Sequence, residues 1–125
     1  MKAEFNNEKD FLKFKVLRWN LKTKPFQVMA TGEKKLEYRK IKKTTDSRLF
    51  NKDGSLRHYD YIRFQIAYQP QYPFFYSKYE GFEKVKDVHI KYSNGFEVNI
   101  ENEVYAVKLG DIVFTGNLNH HLMSR

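Results

Sequence analysis

Val88-His89-Ile90-Lys91-Tyr92-Ser93-Asn94-Gly95-Phe96-Glu97-Val98-Asn99-Ile100 is the segment from which the fold can be read. Apolar and polar residues alternate on both sides of Asn94-Gly95, the period-two pattern of strands with one buried face. Asn-Gly is the dipeptide preferred in tight hairpin turns, because their central residues need positive φ. The segment is therefore predicted to be an antiparallel hairpin, and the chain to be built around antiparallel strands.

Working outward, residues 104–109 and 112–114 read as further strand, interrupted by Gly110-Asp111. Residues 59–68 (YDYIRFQIAY) predict a central strand, with Ile62, Phe64 and Ile66 on one face and Tyr61, Arg63 and Gln65 on the other. Between these lies 69–81 (QPQYPFFYSKYEG), where neither period two nor period 3.6 persists, so an ordered aromatic loop is expected. Residues 42–58 are polar and carry the turn signal Asp53-Gly54, which predicts a loop with one helical turn around 46–50.

Nearer the start, residues 11–19 (FLKFKVLRW) alternate as a strand, with Leu12, Phe14 and Val16 opposite Lys13, Lys15 and Leu17. Thr23 is a candidate N-cap, Pro25 suits a first helical turn, and Gly32 is a natural stop. The spacing predicts a short helix over 24–31 that buries Phe26 and Met29. Residues 35–41 then predict a strand with Lys35, Glu37 and Arg39 on one face and Leu36 and Tyr38 turned to the core. One or two short helices and about six mostly antiparallel strands make an α+β domain with a strongly curled sheet or small β-barrel.

The length of 125 residues suits a single domain, with 1–10 and 119–125 expected as flexible ends. Eleven Phe and nine Tyr supply the area for a core. No cysteine occurs, which removes disulfides, thiolate metal sites and cysteine nucleophiles. Neither a signal-peptide pattern at the start nor 18 consecutive apolar residues is present, so a cytoplasmic chain away from membranes is expected. His58 and His89 are isolated and His120-His121 adjacent, a spacing that builds no metal site, and no cofactor motif occurs.

The net charge of +8 favours a polyanionic partner. Its placement is uneven: residues 1–63 hold 17 Lys+Arg against 8 Asp+Glu, and residues 64–125 hold 6 against 7. Lys40, Lys42, Lys43, Arg48 and Arg57 are candidates to track a phosphate backbone, or are a solvated face. Trp19 is a candidate stacking platform for a base, or a core residue. Lys35 and Arg63 complete the candidate nucleic-acid contacts.

The pattern Gly32-x-Lys34-x-x-Glu37-x-Arg39 joins a helix-ending glycine to a lysine and a Glu/Arg pair on a strand. It resembles the activating signal cointegrator homology (ASCH) domain, whose G-x-K-x-x-E-x-R pattern lies between a short helix and a strand; all four positions match. The resemblance covers residues 14–40 in detail and runs loosely through 60–64 and 105–114. It implies a PUA-like barrel, a cleft beside the motif strand, and a role in RNA metabolism with RNA or a nucleotide as partner. Some ASCH proteins are ribonucleases. Another branch resembles an amidohydrolase acting on acylated cytidine, but carries threonine where this chain has Glu37.

As chemistry, Lys34 and Arg39 suit a phosphate, the arginine as a bidentate fork and the lysine as a point charge. Glu37 then serves as general base for metal-independent RNA cleavage, taking the 2′-hydroxyl proton while the cations stabilise charge on phosphorus. Alternatively Glu37 orients Arg39 in a site that only binds, or the pair merely holds the sheet. A nucleoside-modifying enzyme and a protein-interaction module remain as other classes, and the oligomeric state is left open.

Overall fold

The computed structural model describes residues 5–67 and 69–123; residues 1–4, Tyr68 and residues 124–125 lie outside the described residues. The chain runs through β1 (Val16–Leu21), α1 (Thr23–Ala30), β2 (Leu36–Lys40), α2 (Lys43–Leu49), β3 (Tyr61–Ile66), β4 (Phe74–Val85), β5 (Val88–Lys91), β6 (Glu97–Ile100) and β7 (Val104–Gly116). Five strands form one sheet in the order β1-β3-β4-β7-β2, and β5-β6 form a separate hairpin. The class is α+β as expected. In the main sheet β1 runs parallel to β3, and the other neighbours are antiparallel.

The sheet is curled like half a barrel. Although β1 and β2 are its opposite edges, Arg39 on β2 donates from Nη2 to the Asn20 carbonyl on β1 at 3.3 Å. The bend comes from the two longest strands, β4 and β7, whose register shifts three times between Tyr76 and Phe82. Each irregularity leaves residues unpaired and increases the local twist.

The concave side holds the main core, in which Leu17, Ile62, Phe64, Phe75 and Val107 meet Phe26 and Met29 of α1 and Leu49 of α2. Burying each large apolar side chain stabilises the fold by roughly 1.5–3 kcal/mol. On the convex side, a 3-10 turn at Glu8–Phe11 lays Phe11 on Tyr76, with ring centroids 3.8 Å apart. The hairpin closes a third cluster of Tyr92 and Val98 against Val28 of α1, with Tyr38 packed beside it.

Helix α1 forms where its signals place it, with Pro25 in the first turn and Gly32 just beyond its end at φ +84°. Thr23 is the first helical residue, however, and Lys22 occupies the N-cap position without a side-chain cap. The hairpin is also as predicted, but its loop is three residues long: Tyr92 N–H bonds to Phe96 O at 2.8 Å and Gly95 N–H to Tyr92 O at 3.0 Å. Only Gly95 takes positive φ there, the arrangement of a type I turn closed by a glycine bulge.

Four other expectations change. The first strand starts at Val16, not residue 11, because Asn7 and Asp10 form a reciprocal capping box that draws 8–11 into a turn. Leu17 therefore faces the main core while Leu12 is exposed. Residues 74–81 are strand, not loop; Phe75 packs into the concave core and Phe74 and Tyr76 into the convex cluster. With both faces covered over 74–77, that stretch has no polar alternation to display, while Lys78 and Glu80 beyond it are exposed. Helix α2 spans 43–49, longer than the single turn predicted, and β7 continues unbroken through Gly110-Asp111.

The largest change concerns β2. Glu37 lies opposite Val107 and Arg39 opposite Tyr105, both core residues, so the charged face of β2 is the concave one. Leu36 and Tyr38 point the other way, Tyr38 toward the hairpin. Residues 5–10 and 119–123, expected as flexible, make defined contacts: Phe5 stacks on Phe11 at 4.1 Å, and Leu122 O accepts from Gln27 Nε2 at 2.8 Å.

Candidate functional site

Glu37 enters the curled sheet among apolar side chains, where a lone carboxylate is costly. Both its oxygens are engaged. Oε1 lies 3.2 Å from Lys34 Nζ, and Oε2 lies 2.9 Å from Arg39 Nε and 2.9 Å from Arg39 Nη2. Lys34 can reach it because Gly32 ends α1 and the chain doubles back: Lys34 N–H bonds to Val28 O at 2.9 Å. That turn carries the ammonium inside, where it also donates to the Leu36 carbonyl and lies 3.9 Å from Met29 Sδ.

Lys34 is only 2% exposed. Burial pushes its ammonium below the ordinary lysine range, against the opposing pull of Glu37. Arg39, with 28% of its side chain exposed against 8% for Glu37, is the member of the trio open to solvent. Its guanidinium carbon sits 4.5 Å from the centre of the Trp19 ring. This cation–π stack and the Glu37 bonds fix the guanidinium plane.

Arg39 and Trp19 stand in a cleft of about 600 Å³ bounded by β1, α1, β2 and α2. Lys22, Lys40, Lys42 and Arg48 also line it, so five cations surround it; among the described residues Glu37 is its one acid. Helix α2 is held in place as the far wall by Asp46, which accepts from Tyr105 OH at 2.5 Å, and by Arg48, which donates to the Arg18 carbonyl.

The predicted residues are thus divided. Trp19, Glu37, Arg39, Lys40 and Lys42 meet in the cleft. Lys34 supports it from beneath and lines a different pocket of about 200 Å³, together with Lys35. Lys43 is exposed on the first turn of α2 and is not among the residues lining the cleft. Arg57 lies beyond α2, where its Nε donates to Phe50 O at 3.1 Å. Arg63 is on the convex face, paired with Glu8 at 2.8 Å and stacked on Phe74 at 4.6 Å, out of reach of the cleft. Sequence reading missed Lys22, Asn20 and Phe96, which reach the cleft only through the curl of the sheet and the packing of the hairpin.

Chemically, the cleft can hold an anion on Arg39 and its neighbouring lysines. With both carboxylate oxygens held by cations, Glu37 acts on Arg39 rather than outward. Among the described residues, no three His, Asp or Glu side chains gather as a metal site, and no helix is long and apolar enough to cross a membrane. No protein-family model matches the chain, and comparison with curated proteins and with solved structures gives no match.

Proposed function

We propose that the chain binds RNA or a nucleotide in the cleft between α1, α2 and the two sheet edges, with Arg39 as the principal phosphate contact. The observation that carries this reading is the held guanidinium: Glu37 behind it, Trp19 beneath it, and lysines on the rim. A preorganised fork loses little freedom when it meets a phosphate, and a cationic rim raises the local concentration of a polyanion. The resemblance of Gly32-x-Lys34-x-x-Glu37-x-Arg39 to the ASCH pattern points to the same partner.

Binding is favoured over ribonuclease activity. A general base must be reached by the 2′-hydroxyl, whereas the Glu37 side chain is buried with Lys34 and Arg39 packed against its two oxygens. Glu37 is then a positioning residue for Arg39, and Lys34 its buried counter-ion.

The test is fluorescence anisotropy with a short labelled single-stranded RNA over a range of salt. Affinity should fall linearly with log salt, and Arg39→Gln should weaken binding about tenfold while reducing the salt slope by about one. Absence of binding at low salt, or binding indifferent to salt, ends the proposal. Incubating the same RNA with the protein shows whether any cleavage accompanies binding.

A further inference from the structure

Beyond α2 the surface holds a second concavity of about 490 Å³, walled by the rings of Phe50, Tyr59, Tyr79 and Phe82 with Arg57 among its lining residues. Its rings are held edge to face: Tyr59 meets Tyr79 at 5.3 Å and Phe50 meets Phe82 at 5.4 Å. Tyr59 is further pinned by its hydroxyl, which donates to Arg48 O at 2.6 Å. Leu56, half exposed, lies beside them, and Gly81 has open space where a side chain would stand.

We infer that this pocket is a base-stacking subsite of the same single-stranded RNA whose phosphate lies on Arg39. The inference rests on the binding function proposed above. The two sites share a partition. Thr44, Thr45 and Arg48 of α2 face the phosphate cleft, while Phe50, directly after α2, faces the aromatic pocket, and Arg57 N–H bonds back to Leu49 O at 2.9 Å.

Charge separates the roles of the two sites. The cleft sets five cations against one carboxylate and suits phosphate. The aromatic pocket is lined by one acid, Glu80, and one arginine, Arg57, so the lining is near neutral and suits a base, whose flat face stacks on an aromatic ring. Arg48 and Arg57 carry positive charge from one site to the other, along the route a phosphate backbone would take. Helix α2 is about 10 Å across, against about 3.4 Å per nucleotide of a stacked strand. Roughly three linked nucleotides are needed to reach both sites, which makes the ligand an oligonucleotide rather than a mononucleotide.

Trp19 is the only tryptophan and lies in the cleft, so its fluorescence reports cleft occupancy for an unlabelled oligouridylate and for uridine monophosphate alike. Tyr59→Ala should weaken the oligonucleotide about tenfold and leave the mononucleotide unchanged. Leu56→Asp, at an exposed site where folding is not at stake, should weaken the oligonucleotide selectively as well. If both variants bind the oligonucleotide as the parent does, or lose both ligands equally, the subsite is refuted while cleft binding stands. If the parent binds neither ligand at low salt, the cleft reading and the subsite fall together.

Discussion

Two Glu–Arg pairs sit on opposite faces of one sheet, each with its guanidinium stacked on an aromatic ring: Arg39 on Trp19 at 4.5 Å and Arg63 on Phe74 at 4.6 Å. Their exposure is reversed. In the concave pair the carboxylate is 8% exposed and the guanidinium 28%; in the convex pair the guanidinium is 13% exposed and the carboxylate 41%. The first presents a cation to solvent and the second covers one. Similar pairs thus do different work, and the difference lies in which partner the packing buries.

The reason is what stands behind each pair. Behind Glu37 is Lys34, a second cation in the core, so the trio keeps a net positive charge and Arg39 can carry it into the cleft. Among the described residues no buried acid stands behind Arg63; its partner comes from the N-terminal turn, where Glu8 also accepts from the Tyr76 hydroxyl. Burial alone would raise the Glu8 carboxyl, but the bonds from Arg63 and Tyr76 outweigh it and hold it below the ordinary range. That pair straps the first turn to the sheet.

The comparison breaks most visibly at Glu37. Glu37→Ala leaves the Lys34 ammonium buried without its counter-charge and should destabilise the fold by about 3–5 kcal/mol in chemical denaturation. The double change Lys34→Met with Glu37→Leu removes both charges and should recover most of that loss. A single loss under about 1 kcal/mol shows that the ion pair is not the buried element described here.

At the convex pair the effect is smaller. Glu8→Gln keeps the shape but removes a half-exposed charge, so the loss should stay near 1 kcal/mol or below, with RNA binding unchanged. Weakened binding in Glu8→Gln shows that the two faces are coupled rather than separate.

The smallest effect is one of pH, and it has the same sign in both pairs, acting in the acid range at Glu8 and in the alkaline range at Lys34. The Glu8 carboxyl is depressed in the folded chain, so its contribution is present above its ordinary value of 4.5 and is lost as pH falls through the folded value. The Lys34 ammonium is also depressed, so between its folded value and 10.5 the unfolded chain holds more protons and stability rises with pH. Tyr79, Tyr92 and Tyr105, pushed up to about 12 by burial above all, oppose that rise above pH 10, where the folded chain holds the extra protons. Denaturation midpoints from pH 8 to 10 should therefore climb more in the parent than in Lys34→Met, and parallel curves in the two proteins contradict the assignment.

Much of this was legible without coordinates. The period-two runs at 62–66 and 88–100, the glycine at 32 and the proline at 25 each encode local geometry, and local geometry is what neighbouring residues decide. The trio Lys34, Glu37 and Arg39 was legible as a group because its spacing places it on one turn and one strand face. Harder to see were the segments whose pattern depends on distant partners. Residues 74–77 read as part of a loop because both faces are covered there, and 11–15 read as strand although Asn7 and Asp10 curl the preceding residues.

By itself, the sequence determined that this is an α+β chain with a basic first half and a charged strand directly after a short helix. Only the tertiary structure decided that the charged face of that strand turns inward, that Lys34 is sealed beneath Glu37, and that Arg39 alone of the three reaches solvent. Alternation along a strand says which residues share a face, but it does not say which face the rest of the chain will cover. That choice was made by the curl of β4 and β7, which brings Val107 and Tyr105 of the core beside Glu37 and Arg39.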